Sequence, residues 1–219
     1  FFDQMHVLND NGVFASRYFP GVGLWLAPWV AVGQPYWGQY LAGGFIVVLV
    51  FCIGQELATS LVSTAGESAL PFARRGGLAI GVLAALFCVI SPAMLLFGNL
   101  LLSHHPTMLG LAAFALCYMR ALRSESLVWP ICGGVALCLA MLCRPLTAFG
   151  FASPFGLHLA WLVLRGELPR CTPRLLSALV PLIAGVGLLA GYNAALTGNP
   201  LQSPYGLYTH IYTPNHCYG

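Results

Sequence analysis

The sequence predicts an all-α, polytopic transmembrane helix bundle of about six spans, with an interfacial helix in its N-terminal outer loop. Three observations carry that prediction. Hydrophobic residues make up 58% of the 219, and charged residues only 7%, against roughly a quarter in soluble domains. The mean hydropathy is +0.80, so the chain lacks the polar surface needed to face water all round. Seven of the nine arginines fall in the connections between long apolar runs, and lysine is absent.

The elements follow in order. Residues 1–36 read as an outer loop. Within it, "FASRYFPGVGLWLAP" (14–28) turns at Pro20-Gly21 and then becomes apolar for a stretch too short to cross a bilayer, which takes about 20 residues. With Trp25 and Trp29 it suits a helix lying in the headgroup plane. Such a helix either lines something at the outer face or only anchors the loop. Residues 37–196 read as the bundle. Its spans are Trp37–Leu57, Gly76–Leu96 (reaching Leu102 beyond a kink at Pro92), Pro106–Leu122, Leu127–Phe149, Phe151–Leu164 and Leu175–Leu196. Residues 197–219 read as the start of a second outer loop. The chain begins at Phe1 and stops in the polar run "YTPNHCYG", so both ends read as cuts in a longer protein.

Arginine sets the orientation. Arg74 and Arg75, Arg120 and Arg123, and Arg165, Arg170 and Arg174 occupy alternate connections, which puts all seven on the cytoplasmic side. Arg17 and Arg144 are left on the outer side. His6, His104, His105, His210 and His216 join them, and His158 alone sits within a span.

Several function classes drop out. The net charge of +3 is too small to suggest a nucleic-acid partner. The eight cysteines include no C-x-x-C pair and no zinc spacing; most read as small buried hydrophobes. One deep histidine cannot supply paired axial haem ligands.

Four outer-face motifs carry chemistry. In "MLCRPLTAFG", Arg144 ends an apolar helix before Pro145. It either snorkels to the interface or clamps a phosphate, whose oxygens match the paired guanidinium donors. In "NLLLSHHPTM", Ser103 and Pro106 open a helix whose start offers free N–H groups to an anion, with His104 and His105 as added donors. An interfacial role for these histidines is the competing reading. A metal fits less well, because neighbouring helical residues point apart. Arg17-Tyr18 precedes the Pro-Gly turn. Tyr192 and Asn193 close the last span ahead of the Thr197–Pro200 turn; they suit sugar hydroxyls and a lipid interface equally.

Taken in order, these motifs resemble the C-type glycosyltransferase superfamily, in particular the bacterial integral-membrane branch related to protein mannosyltransferases and aminoarabinose transferases. "SRYFPGVGLWLAP" is similar to a Ser-Arg-Tyr-Pro-Pro-Gly-like run, with Phe19 where the first proline is usual. "SPAMLLFGNLLLSHHP", "CRPLTAFG" and "YNAALTGNPLQSPY" are similar to further runs of that branch. The resemblance spans nearly the whole chain. It implies an enzyme of a bacterial inner membrane that moves a sugar from a polyprenyl-phosphate carrier to an acceptor on the extracytoplasmic side. The substrate contacts it implies fall on Arg17, Tyr18, His104, His105, Arg144, Tyr192 and Asn193. It also implies a catalytic acid, usually Asp, upstream of the part matching Phe1–Tyr18. Asp3 and Asp10 do not match that acidic motif, so the catalytic residue stays unassigned, with Asp3 the candidate inside this chain. The resemblance leaves room for a divalent cation, although no residues here argue for one. Membrane lipids and other membrane subunits are the further partners expected. The alternative is a non-catalytic membrane protein, either a transporter or an assembly subunit.

Overall fold

The computed structural model describes residues 7–10, 12–63, 70–166 and 172–213; for 9, 10, 13, 61–63, 70–75, 172 and 173 only the backbone is described. Asp3 and the side chains of Asp10, Arg74 and Arg75 therefore lie outside the described residues.

The chain is almost entirely helical, with one departure from the all-α prediction. β1 (Val7–Asp10) and β2 (Val13–Ser16) form an antiparallel hairpin pairing Val7 with Ser16 and Asp10 with Val13. Gly12 turns it at φ 79°, a left-handed conformation that glycine adopts without steric cost. α1 (Pro20–Ala31) follows, with Pro20 in its first turn and Phe19 extended ahead of it. At 12 residues it is roughly 18 Å long, too short for a crossing, as the sequence predicts. It lies across the end of α6 (Val128–Cys143), because Gly21 has no side chain. A Cβ there would stand 2.6 Å from the Cys143 backbone nitrogen. Trp25 Nε1 donates to the Gly38 carbonyl at 3.1 Å and fastens α1 to α2 (Pro35–Ser63).

α3 (Leu70–Val89) returns along α2, and α4 (Pro92–Gly98) continues it after a 55° bend at Ser91-Pro92. The bend follows from proline's missing N–H and its ring, which break the helical ladder. α5 (His104–Arg123) packs between α2 and α6. Gly110 lets it approach closely: a Cβ there would meet the Ala136 carbonyl oxygen at 2.5 Å. Leu111, Leu137, Ala140 and Ala148 form the buried centre, with Phe114, Met141 and Leu182 packed around it.

One boundary departs from the sequence reading. The fourth predicted span runs through Arg144 to Phe149 and the fifth starts at Phe151. Instead, α6 stops at Cys143 and α7 (Pro145–Leu164) begins at once. Arg144 stands between them in an extended conformation (φ −150°, ψ 85°). Pro145 imposes this, since the residue before a proline is pushed out of the helical region. α8 (Thr172–Leu176) and α9 (Leu179–Thr197) run on to a Gly198 turn, and α10 (Pro204–Tyr212) closes the described chain.

Three helices are long and apolar enough to cross a membrane: α2 over Pro35–Ser60, α7, and α8–α9 over Arg174–Thr197. The bent α3–α4 pair makes a fourth if it counts as one broken span. The outer surface of the bundle agrees with this reading. Leu146 is 87% exposed and Leu164 86%, and Phe149, Leu157 and Ile183 also face outward. Such a surface suits hydrocarbon rather than water.

Polar groups gather at the two ends. At one, Arg120 Nε and Arg123 Nη1 donate to the two oxygens of Glu56 at 2.9 and 3.1 Å, and Arg123 also bonds Ser60. At the other end of the same α2–α5 pair, Gln39 Nε2 donates to the Leu102 carbonyl at 2.9 Å, and Arg144 Nε donates to Ser103 Oγ, also at 2.9 Å. Ser103 and Arg120 are separated by roughly 25 Å of helix, so Arg144 stands well away from Arg120 and Arg174.

Candidate functional site

The Arg144 end holds a cavity of about 710 Å³. Its walls are mostly apolar: Phe19, Pro20, Val22 and Leu24 from α1 and its lead-in, Leu101 and Leu102 ahead of α5, and Leu188 from α9. The polar rim is Ser16, Tyr18, Ser103 and Tyr192. The hairpin and α1 form one wall because the chain must turn at Pro20-Gly21 and lie on the end of α6. Tyr192 secures that wall to the bundle: its hydroxyl donates to the Tyr18 carbonyl at 3.1 Å.

Three helices begin here. α1 starts at Pro20, α5 at His104 and α7 at Pro145, and no side chain caps any of them. Each start presents unpaired N–H groups and the positive end of the helix dipole. Arg144 adds a full charge between two of them. Its Nε is held by Ser103, while its terminal nitrogens have no partner among the described residues. An arginine fixed through one nitrogen keeps the geometry needed to bind an anion with the others.

The predicted site residues separate into two groups. Tyr18 and Tyr192 line the cavity, and Arg144 meets it through Ser103. His104 stacks face to face on Phe97, with ring centroids 3.8 Å apart. Burial, and then the charges of Arg144 and His105, hold its pKa below the ordinary histidine value.

The other three are engaged elsewhere. His105 is only 2% exposed, with Nδ1 3.2 Å from the Gln39 carbonyl oxygen. It packs from the start of α5 against α2 and α4, facing Gly43 and Gly98, and does not line the cavity. Burial lowers its pKa, and the carbonyls of Gln39 and Met94 oppose that shift. Arg17 turns away from the cavity into a cage of tyrosines, its guanidinium carbon 5.2, 5.0 and 4.8 Å from the ring centres of Tyr18, Tyr205 and Tyr208. Asn193 Nδ2 donates to the Pro200 carbonyl at 3.1 Å. Together with Thr197, whose hydroxyl lies 2.9 Å from the Asn193 and Asn199 carbonyl oxygens, it builds the turn into α10. The "YNAALTGNPLQSPY" run is therefore the end of α9, a turn over 198–203 and the start of α10, which it brings against Arg17.

Sequence reading missed Gln39 and Cys143. Gln39 is fully buried and ties α2 to the Leu102 carbonyl; its signal was an amide near the start of the first apolar run, among more conspicuous aromatics. Cys143 lines the cavity, and nothing in its apolar surroundings marks it. Among the described residues no group of three or more His, Cys, Asp or Glu is placed to hold a metal ion. Compared with known protein families, curated proteins and solved structures, the chain matches none.

Proposed function

We propose that the chain is the donor-binding part of a membrane glycosyltransferase that takes a sugar from a polyprenyl-phosphate carrier on the extracytoplasmic side of a bacterial inner membrane. In this reading α2, α3–α4, α5, α6, α7 and α8–α9 make six crossings, and Arg120, Arg123, Arg165 and Arg174 mark the cytoplasmic end. α1 lies in the outer headgroup layer.

One observation carries the proposal. A half-free arginine and three uncapped helix starts converge beside a large apolar cavity. That combination fits an amphiphile with an anionic head and a hydrocarbon tail. The acceptor hydroxyl attacks the anomeric carbon, the carbon–oxygen bond to phosphate breaks, and the bonding pair leaves with the carrier phosphate. Negative charge grows on that phosphate, and Arg144 is aimed where it grows. The hydroxyl proton goes to a base, the role the resemblance gives to an upstream acid.

The test is Arg144→Ala in the full protein, assayed for release of labelled sugar from its polyprenyl-phosphate donor. A loss of about 100-fold or more is expected, with helix content and melting unchanged. Turnover at the wild-type rate would remove the clamp and leave the transporter or scaffold reading in its place.

A further inference from the structure

A second cavity lies near the other end of the bundle and is chemically unlike the first. It encloses about 250 Å³ in the angle between α7 and α9, with α5 and α6 behind it. Phe114, Leu137, Phe155, Leu159 and Leu182 line it, and Gly156 leaves its outer side open: a Cβ there would touch nothing within 4 Å. Such a space between apolar helices admits part of a hydrocarbon chain entering sideways from the bilayer.

Its rim toward the arginine-rich end is cationic. Trp129 lines the cavity, and the Arg120 guanidinium lies 4.7 Å from the centre of its ring. Ala121 also lines it, and Arg174 Nη2 donates to the Ala121 carbonyl at 3.1 Å. Glu56 serves both Arg120 and Arg123, so one carboxylate balances two cations. Arg174 meets no carboxylate among the described residues, and its Nε is enclosed without an acceptor there. The rim thus carries surplus positive charge directly above an apolar slot.

We propose that this slot binds one anionic phospholipid of the adjacent leaflet, with an acyl chain between α7 and α9 and the headgroup phosphate against Arg174 and Arg120. Basic pockets between membrane helices on the cytoplasmic side take such headgroups, and one chain in a dry slot adds affinity through its buried methylenes. The assignment stands independently of the transferase reading, since it uses neither Arg144 nor the larger cavity.

The experiment is native mass spectrometry of the intact chain released from mixed vesicles of phosphatidylglycerol and phosphatidylcholine in equal amounts. The wild type should retain one phosphatidylglycerol in preference to phosphatidylcholine by about fivefold. Arg174→Gln should erase the preference while some lipid of either kind is kept. Gly156→Leu, which fills the slot and favours the helix, should lose retention of both. Equal retention of the two lipids by the wild type would overturn the proposal, as would undiminished phosphatidylglycerol retention in Gly156→Leu. The wild-type comparison decides the matter even if a variant fails to fold.

Discussion

The two ends of the bundle both collect arginine, but they treat it differently. At the α5 C-terminal end, Arg120 and Arg123 share Glu56, and Arg120 and Arg165 lie over Trp129 and Trp161. One carboxylate there serves two arginines and ties α2 to α5, while Arg174 is left without a carboxylate among the described residues. At the α5 N-terminal end, no ion pair occurs among the described residues. Arg17 is sheathed by tyrosines, and Arg144 is held by one serine hydroxyl. Burying a cation beside uncapped helix starts without a counter-charge is costly unless something anionic arrives. The contrast separates an end whose arginines partly share a carboxylate from an end whose arginines meet none among the described residues.

That contrast can be broken at several points, beginning with the largest effect. Gly21→Val would drive a side chain into the Cys143 backbone and lift α1 off α6. A stability loss of about 1–3 kcal/mol is expected, and the cavity wall should loosen, read as faster alkylation of Cys143. Glu56→Gln should cost roughly 1–2 kcal/mol by leaving two arginines without their carboxylate, while donor binding at the far end stays unchanged. A matching loss of donor binding would mean that the ends are not separate. Ser103→Ala removes only the hydroxyl that orients Arg144, so donor affinity should fall about fivefold, the equivalent of roughly 1 kcal/mol, with melting nearly unchanged.

The smallest effect concerns pH. The folded-state pKa of His104 is depressed, so the unfolded chain takes up its proton first. Stability from this group is therefore present above the unfolded value and is lost as pH falls through it toward the lower folded value. Melting curves between pH 8 and pH 5 should show an acid decline that is shallower in His104→Gln than in the wild type.

Much of this was legible in the sequence, for identifiable reasons. The apolar runs disclosed the helices because a bilayer demands length and apolarity, and both can be counted. α1 was legible as a short helix from its Pro-Gly start and its tryptophans. The break at Arg144 was legible in its motif, where Arg144 ends an apolar helix before Pro145, but not in the span bounds, because composition is apolar on both sides of it. Only the local constraint of Pro145 on its neighbour places the boundary there. The hairpin escaped for the opposite reason: its signal, a turn at Gly12 between two four-residue strands, is short, and a loop rich in polar residues hides it. At the site, residue type pointed to Arg144, Tyr18 and Tyr192. It could not say that Arg17 would be caged by Tyr205 and Tyr208, some 190 positions away in the chain, or that Asn193 would close a turn. Those roles depend on long-range packing that no local pattern encodes.

The most direct test of the account is binding of a polyprenyl phosphate to the purified chain in detergent, followed by thermal shift in the wild type and in Arg144→Ala. The account predicts a concentration-dependent rise in melting temperature for the wild type that is lost in the variant, while polyprenol lacking the phosphate stabilises neither. Equal stabilisation of both proteins by the phosphate would contradict it, because the cavity would then be recognising the hydrocarbon tail alone.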